Sequence, residues 1–405
     1  MIKTADVIIV GAGSWGAATA YELARHGARV ALLDRHAVAS QTSPRAAGLA
    51  GTIRTTDLMT EVASRAATML VEFEAATGQS LGIVRSGSLK LARTAEDVAI
   101  LETDVERGRR HGLGTTLVEP AEVRRLNPLV QSDGLLAAMH VPTDIYFEPA
   151  QVAISLAVAA AAAGAVLLPE TPVTGIRRQG GRVSGVDTEH GPLSAESVVV
   201  AAGAWANEVL ATGGVRVPLV PMRHQLFITE PLPEVRPDLP FIRIVDANVY
   251  LRPCWGGLLF GGYESEPLAM DGGRLTATFE MRDTPLDLGV LRGLVADVSS
   301  QLPILRNAPI RTHRGGVPTL TVDGQHILGP VPGVDGLYVA AGCNVAGLSV
   351  SPMIGLLLAE WILDGRPSLD LAPMAVDRFG PEWADERVVR EAAARHYRSF
   401  YRGTM

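Results

Sequence analysis

Val7-Ile8-Ile9-Val10-Gly11-Ala12-Gly13-Ser14-Trp15-Gly16 decides how this chain reads, because four β-branched residues run directly into a glycine-spaced turn. Such a run suits a parallel strand covered on both faces. Gly11 allows a tight turn, Gly13 lets a pyrophosphate approach the backbone, and Gly16 lets helix and strand pack closely. The spacing predicts a helix from about Ser14 to His26, kept slim by Ala17, Ala18, Ala20 and Ala24 and stopped by Gly27. A second apolar run, Val30 to Leu33, ends on Asp34, an acid placed to hold ribose hydroxyls. A glycine-rich structural turn is the competing reading, and the strand before, the helix after and the acid weigh against it. An acid at 34 would repel a ribose phosphate, so FAD or NAD is favoured over NADP, and the motif does not choose between those two.

Outward from this stretch, 405 residues are enough for two domains with sizeable cores. A formal net charge of −7 argues against nucleic acid or an anionic membrane as main partner. The two cysteines, Cys254 and Cys343, argue against a disulfide framework and for a reducing, cytoplasmic compartment. They lack metal-ligand spacing, so no metal is expected. Val7 to Val10 is too short for a signal peptide. Val152 to Leu168 carries no charge and imitates a membrane span, but alanine dominates it and Gly164 breaks it. It reads as an Ala-rich buried helix, a stop and a strand from Val166 to Leu168, without membrane insertion.

After Asp34, the Ser-, Pro- and Gly-rich segment Ser40 to Gly51 predicts irregular backbone over a closely approaching ligand. Helices are expected over Thr60 to Thr77, Glu96 to His111, Glu119 to Leu126, Pro149 to Ala163 and Leu286 to Leu302, with a strand at Ser86 to Ala92. Ser197 to Val200 is another buried strand ending on small residues, Ala201 to Ala204, before Trp205. Phe227-Ile228, Val249 to Arg252 and Gly257 to Gly261, separated by Pro-rich turns, suggest an antiparallel sheet. Gly336 to Gly342 and then Ser351 to Leu363 repeat strand, glycine, helix, and the charged tail ends in a helix. The fold class is therefore α/β, α+β overall: a discontinuous Rossmann-like dinucleotide domain in pieces 1–83, 148–217 and 316–380. A mainly antiparallel substrate domain, 84–147 and 218–315, is interposed, and a helical tail occupies 381–405.

That interrupted layout resembles the D-amino-acid-oxidase-like superfamily of FAD enzymes, and within it the flavin domain of dimethylglycine and sarcosine dehydrogenases. The resemblance rests on the glycine motif with Asp34, Pro44 to Gly51, Val200 to Trp205, His224-Gln225 with Thr229-Glu230-Pro231, and the run from Gly315 to Arg378. It implies FAD rather than NAD. Carried over by position, it assigns Gly11, Gly13, Ser14, Trp15 and Gly16 to the pyrophosphate region, and Asp34 and Arg35 to the adenosine end. Arg45, Ala46, Gly48 and Leu49 would cover the flavin, while Val173, Ala202, Gly203 and Trp205 would complete the adenine side. Gly342, Asn344, Gly347 and Leu348 would lie against the pyrimidine edge, where a helix N-terminus near Ser351 would stabilise negative charge on reduced flavin.

The departures carry as much information. Dimethylglycine-type enzymes link FAD through a histidine in a Trp-His-Ala-like step, where this chain has Pro44-Arg45-Ala46. Monomeric sarcosine oxidases use a cysteine that would fall near Gly316 and an oxygen-activating lysine that would fall near Leu259 or Phe260. A non-covalently held flavin is therefore expected, without support for fast oxygen reduction, and the family's folate-binding extension is expected to be missing.

The resemblance also implies the chemistry. His224 matches an active-site histidine that takes a proton from, or orients, a bound amine. Tyr250 is a second catalytic candidate, with core packing as its alternative. Arg54 would grip a substrate carboxylate, or else serve flavin phosphate or solvent; the second carboxylate anchor of related proteins, a lysine, would be Ser349 here. Arg252 is a further substrate candidate, with Arg314 behind it, and Arg45 faces flavin, substrate or solvent. The expected activity is FAD-dependent oxidation of a secondary or tertiary amine, of N-methylated or cyclic amino acid type, to an iminium that water hydrolyses. Oxidation of a 2-hydroxy acid or primary D-amino acid is the alternative, as is a flavoprotein subunit active only with a partner chain. The electron acceptor, oxygen or a protein or quinone carrier, and the state, monomer or homo-oligomer, stay open.

Overall fold

Strand Val7–Val10 lies in the middle of a six-stranded sheet, flanked in parallel by Val30–Leu33 and Ser197–Val200, with Ile8 opposite both Ala31 and Val198. The architecture is that of a computed structural model, which describes residues 2–271, 273–276 and 278–402. Outward from the centre lie Val166–Leu168 on one side, Leu337–Ala341 and an antiparallel edge, Ile327–Pro330, on the other. Both faces of the sheet are covered, as its continuous apolar strands require. Val7, Ile9 and Leu32 pack against the helices Ser14–Arg25, Asp57–Thr77, Pro149–Ala162 and Gly347–Asp364. Ile8, Val10 and Leu33 pack against a three-stranded antiparallel sheet, 173–193, and the short helix Ala206–Thr212.

Small residues let these helices approach closely. An added Cβ at Gly355 would lie 2.8 Å from the Ala18 Cβ, so the helix Gly347–Asp364 crosses the first helix nearly backbone to backbone. By length and composition that helix could cross a membrane, yet two thirds of it is buried here, against the first and second helices. The alanine-rich helix Pro149–Ala162 differs from the buried helix expected. Val152, Leu156 and Ala160 face the core while Ile154 and Val158 are about half exposed, because the helix packs on one side only.

The second sheet has eight strands, in the order Ile310–Gly316, His224–Thr229, Gly257–Gly262, Val249–Cys254, Phe241–Ile244, Ser88–Ala92, Ala137–Val141, Thr116–Val118. All its pairs are antiparallel except one: Phe241–Ile244 runs parallel to Ser88–Ala92, with Ile242 opposite Leu89. The two strands come from separate excursions of the chain, so no hairpin dictates their direction. Alternation assigns the faces. Phe227, Leu251 and Phe260 point into a core capped by the helix Leu288–Asp297, which stops short of the expected Leu302 and continues through a 3₁₀ turn at Pro303–Leu305. Leu226, Ile228, Tyr250 and Leu259 point the other way, where Val389, Ala393 and Tyr397 of the C-terminal helix Glu386–Arg398 cover them. The tail is thus part of the packed body.

Candidate active site

A single elongated cavity runs from the carboxyl ends of the parallel strands to the inner face of the eight-stranded sheet. At its first end, Gly11 has φ 111°, and an added Cβ would strike the Ala201 carbonyl; an added Cβ at Gly16 would strike the Gly11 carbonyl. Gly16 therefore works behind the wall, through close packing, while Gly11, Gly13, Ser14 and Trp15 line the cavity. The N-cap of the helix that begins at Ser14 is Gly13, which has no side chain; the Ser14 N–H donates to the Ser43 hydroxyl at 3.1 Å, and the helix N-terminus lies at the cavity as an anion site. The Asp34 carboxylate accepts from the Ala12 N–H at 2.7 Å and the His36 N–H at 2.8 Å. Burial raises its pKa while those two N–H groups pull it down. Arg35 stands 5.8 Å from the Trp205 ring and pairs with Glu208, and Val173, Ala202 and Gly203 line the same end.

In the middle, Arg45, Ala46, Gly48 and Leu49 form one wall, from a 3₁₀ turn at Ser43–Arg45 onward. Position 48 needs glycine twice over: its φ is 74°, and an added Cβ would strike the Phe147 carbonyl. Arg45 reaches only the Gly315 carbonyl, at 3.5 Å, and has no carboxylate within ion-pair range among the described residues. Gly342, Gly347 and Leu348 form the opposite wall. Two assignments change here. The Asn344 side chain is buried, accepting from the Thr321 N–H at 2.9 Å and donating to the Gly342 carbonyl at 3.0 Å, so it shapes the loop and does not face the cavity. The helix expected to start near Ser351 starts at Gly347. Pro352 lacks the N–H that would reach the Leu348 carbonyl, and the Ser351 hydroxyl donates to that carbonyl at 2.8 Å, so the helix tolerates a proline that reads as a boundary.

At the far end, His224 and Tyr250 face the cavity from neighbouring regions of the large sheet. The Tyr250 hydroxyl lies 2.8 Å from His224 Nε2, which settles the face its ring presents, and the Tyr397 hydroxyl lies 2.7 Å from Nδ1. With no charged partner, His224 is pushed by burial down to a pKa of about 3, and it is neutral at physiological pH. Burial likewise raises Tyr250, which keeps its proton.

Arg54 also lines this end. Its Nη2 donates to Ser349 Oγ at 3.2 Å, its Nε has no partner, and no carboxylate pairs with it among the described residues. Burial and the neighbouring Arg243 guanidinium hold its pKa below the ordinary arginine value. Arg243, missed in the sequence, lines the cavity too but is neutralised by Asp144 at 3.4 Å. That carboxylate also accepts from the Thr52 N–H and hydroxyl, at 2.8 and 2.7 Å. One positive charge therefore remains uncompensated at the inner end of the cavity.

Arg252 is corrected outright. It is fully buried away from this cavity, donating to the carbonyls of Ala47 at 2.6 Å and Pro253 at 2.8 Å, with Glu148 at 3.4 Å and the Tyr146 ring at 4.9 Å. Alternation along its strand puts it on the Tyr250 face, but two residues outward it meets the 44–51 segment and ties that segment to 147–148. Arg314 similarly donates to the Ala46 carbonyl, at 3.1 Å. Tyr263, Phe400 and Tyr401 complete the inner wall, with Tyr263 stacked on Phe400 at 4.3 Å. The last two come from just beyond the C-terminal helix, and only their aromatic character so near its end signalled them.

The fold and this cavity are those of a flavin-dependent oxidoreductase, and the chain belongs to the DAO family, FAD dependent oxidoreductase, whose match spans residues 6–361. It is 33% identical to the mitochondrial sarcosine dehydrogenase of Homo sapiens over 98% of this chain and 44% of that one. It is 30% identical to glycine oxidase of Geobacillus kaustophilus over 92% of this chain and 97% of that one. Among solved structures, L-proline dehydrogenase from P. horikoshii superposes with a TM-score of 0.85 at 25% identity, covering 94% of this chain and 98% of that chain. Glycine oxidase from Geobacillus kaustophilus gives 0.81 at 29%, covering 94% and 100%. The chain spans less than half the length of the sarcosine and dimethylglycine dehydrogenases it matches. FAD is its cofactor, and the residues present fit it: a glycine cradle that side chains would fill, a helix N-terminus at the cavity with glycine at its N-cap, and a buried acid at the next strand end.

Proposed function

We propose that this protein oxidises the C–N bond of a small secondary or tertiary amine that carries one carboxylate, of N-methylated or cyclic amino acid type. The observation that carries the reading is Arg54, a guanidinium facing the inner cavity without an acidic partner, among neutral aromatic side chains and a neutral histidine. A buried cation without a counter-ion is costly, and a carboxylate of the ligand would offset it through the guanidinium fork. Ser349, standing where related proteins carry a lysine, donates no charge, so Arg54 is the sole anchor in this reading.

Bound FAD supplies a hydride acceptor at N5. The chain's own residues do the rest. Arg54 fixes the carboxylate and thereby the position of the amine. Tyr250 and His224, joined at 2.8 Å, offer the amine a hydrogen-bond partner without adding a charge. The aromatic wall of Tyr263, Phe400 and Tyr401 excludes water and presents ring faces and edges to N-alkyl groups. We further infer that FAD is held without a covalent bond, since Arg45 and Gly316 stand where related enzymes carry the linking histidine or cysteine.

Anaerobic mixing with a panel of N-methyl amino acids, cyclic amino acids, primary D-amino acids and 2-hydroxy acids tests the proposal. Bleaching of the flavin by N-alkyl or cyclic amino acids is expected; bleaching by hydroxy acids or primary amino acids alone would overturn it. Bleaching by nothing would favour a flavoprotein subunit that works with a partner chain. The 30% identity to the pyruvate dehydrogenase phosphatase regulatory subunit of Mus musculus, over 93% of this chain, motivates that second reading.

A further inference from the structure

The C-terminal helix reaches His224 through the Tyr397 hydroxyl. This hydroxyl faces two groups that can accept its proton, Nδ1 of His224 at 2.7 Å and the backbone carbonyl of Arg223 at 3.2 Å, with the Glu264 backbone N–H as a donor beside it. A phenol has one proton to donate, and a carbonyl can only accept. Both contacts are satisfied together only if Tyr397 donates to the Arg223 carbonyl and accepts from Nδ1–H. If Tyr397 donated to Nδ1 instead, its oxygen and the Arg223 oxygen would face each other at 3.2 Å, lone pair to lone pair, in a buried site.

From this geometry we infer that Tyr397 is a positioning residue: it holds His224 in the Nδ1–H tautomer, and the direction of the hydrogen bonds then turns the Tyr250 oxygen into an acceptor toward the cavity. The inference rests on the proposed placement of the substrate amine beside Tyr250. A neutral imidazole with its proton on Nδ1 has a bare Nε2, which accepts from the Tyr250 hydroxyl at 2.8 Å. Among the described residues Tyr250 has no other hydrogen-bond partner, so its lone pairs are left for an N–H in the cavity. The chain of donors runs one way: ligand N–H to Tyr250 oxygen, Tyr250 hydroxyl to His224 Nε2, Nδ1–H to Tyr397 oxygen, Tyr397 hydroxyl to the Arg223 carbonyl. His224 is low enough in pKa to carry a single N–H throughout the neutral range, so this order has no competing doubly protonated form there.

Such a wire selects what binds. A secondary amine, or a tertiary amine bound as its ammonium form, offers an N–H and is accepted; a neutral tertiary amine presents only a lone pair to the lone pairs of Tyr250 and is disfavoured. The reversed tautomer would invert the preference. The arrangement is assembled from three distant parts of the chain, 223–224, 250 and 397, and its polarity is set at the end farthest from the cavity.

The test reads the tautomer directly, in the resting holoenzyme and without substrate. Two-bond nitrogen–proton correlation spectra of ¹⁵N-histidine-labelled protein, with His224 assigned by comparison with His224→Gln, distinguish Nδ1–H from Nε2–H. The wild type is expected to show Nδ1–H alone. Tyr250→Phe is expected to leave it unchanged, because Tyr397 sets it. Tyr397→Phe, which keeps the ring packed 5.0 Å from Tyr263, is expected to lose the single Nδ1–H form while retaining its flavin. A wild type in the Nε2–H form would overturn the inference whatever the variants do. So would a flavin-loaded Tyr397→Phe protein still wholly in the Nδ1–H form. None of these readings depends on which compound bleaches the flavin.

Discussion

The indole Nε1 of Trp15 donates to the carbonyl of Gly347 at 2.7 Å, joining the first turns of two helices that are 332 positions apart in the chain. Both residues line the cavity, so the link sets the gap between the pyrophosphate wall and the wall expected beside the flavin ring. Trp15→Phe keeps an aromatic ring there but removes the donor. The loss of one buried hydrogen bond, about 1 kcal/mol, predicts FAD binding weakened roughly fivefold, read by fluorescence titration of the apoprotein.

Arg54→Leu should raise KM for a carboxylate-bearing amine by roughly 10- to 100-fold, as expected when a charged hydrogen-bonding partner is lost. Steady-state kinetics with a matched amine lacking the carboxylate supplies the control, and its KM should not move. Equal changes for both would remove Arg54 from the carboxylate role.

Precipitating the holoenzyme with acid should leave all the yellow colour in the supernatant. Colour that stays with the pellet would reveal a covalent flavin, held by a residue other than one at position 45 or 316.

Two buried histidines give the stability a pH dependence of definite sign. His224 and His326 are depressed by burial to about 3 and about 4, against 6.5 when exposed. Between those values the unfolded chain binds protons that the folded chain refuses, so stability is full above pH 6.5 and falls as pH drops toward 4. At pH 5 each histidine would cost about 2 kcal/mol relative to pH 7.5. Thermal melts across this range should show the slope, and His224→Gln should flatten it in part, since burial lowers His140, His313 and His396 in the same direction.

Arg252→Leu separates support from recognition. It removes the donor to the Ala47 and Pro253 carbonyls and leaves Glu148 without its partner. A loss of about 3 kcal/mol is expected in denaturant unfolding. The folded fraction should keep the KM of the wild type for its amine.

How far the sequence carried depended on the kind of signal. The dinucleotide end was legible because glycine spacing and strand burial are local: Gly11, Gly13, Ser14, Trp15 and Asp34 all line the cavity where the pattern put them. Arginines were not separable, since Arg54 and Arg252 look alike in a string, and only three-dimensional neighbours show that one lacks a counter-ion while the other is enclosed by carbonyls. Pro352 displaced a helix start by four residues because a neighbouring hydroxyl satisfies the carbonyl it abandons. Tyr397, Phe400 and Tyr401 were out of reach for another reason: beyond their aromatic character, nothing local marks a helix tail that returns to His224, 173 positions earlier.

The single parallel pair in the large sheet, Phe241–Ile244 beside Ser88–Ala92, has a consequence for biosynthesis. It is the seam between two halves made at different times, so a nascent chain that has emerged only as far as the first half presents Ser88–Ala92 with one edge open and no covering strand. That interval, about 100 residues of further translation from Val141 to Phe241, exposes the polypeptide to mispairing with its neighbours on the ribosome. Slowing elongation through this interval should raise the aggregated fraction, and chaperone supply should lower it.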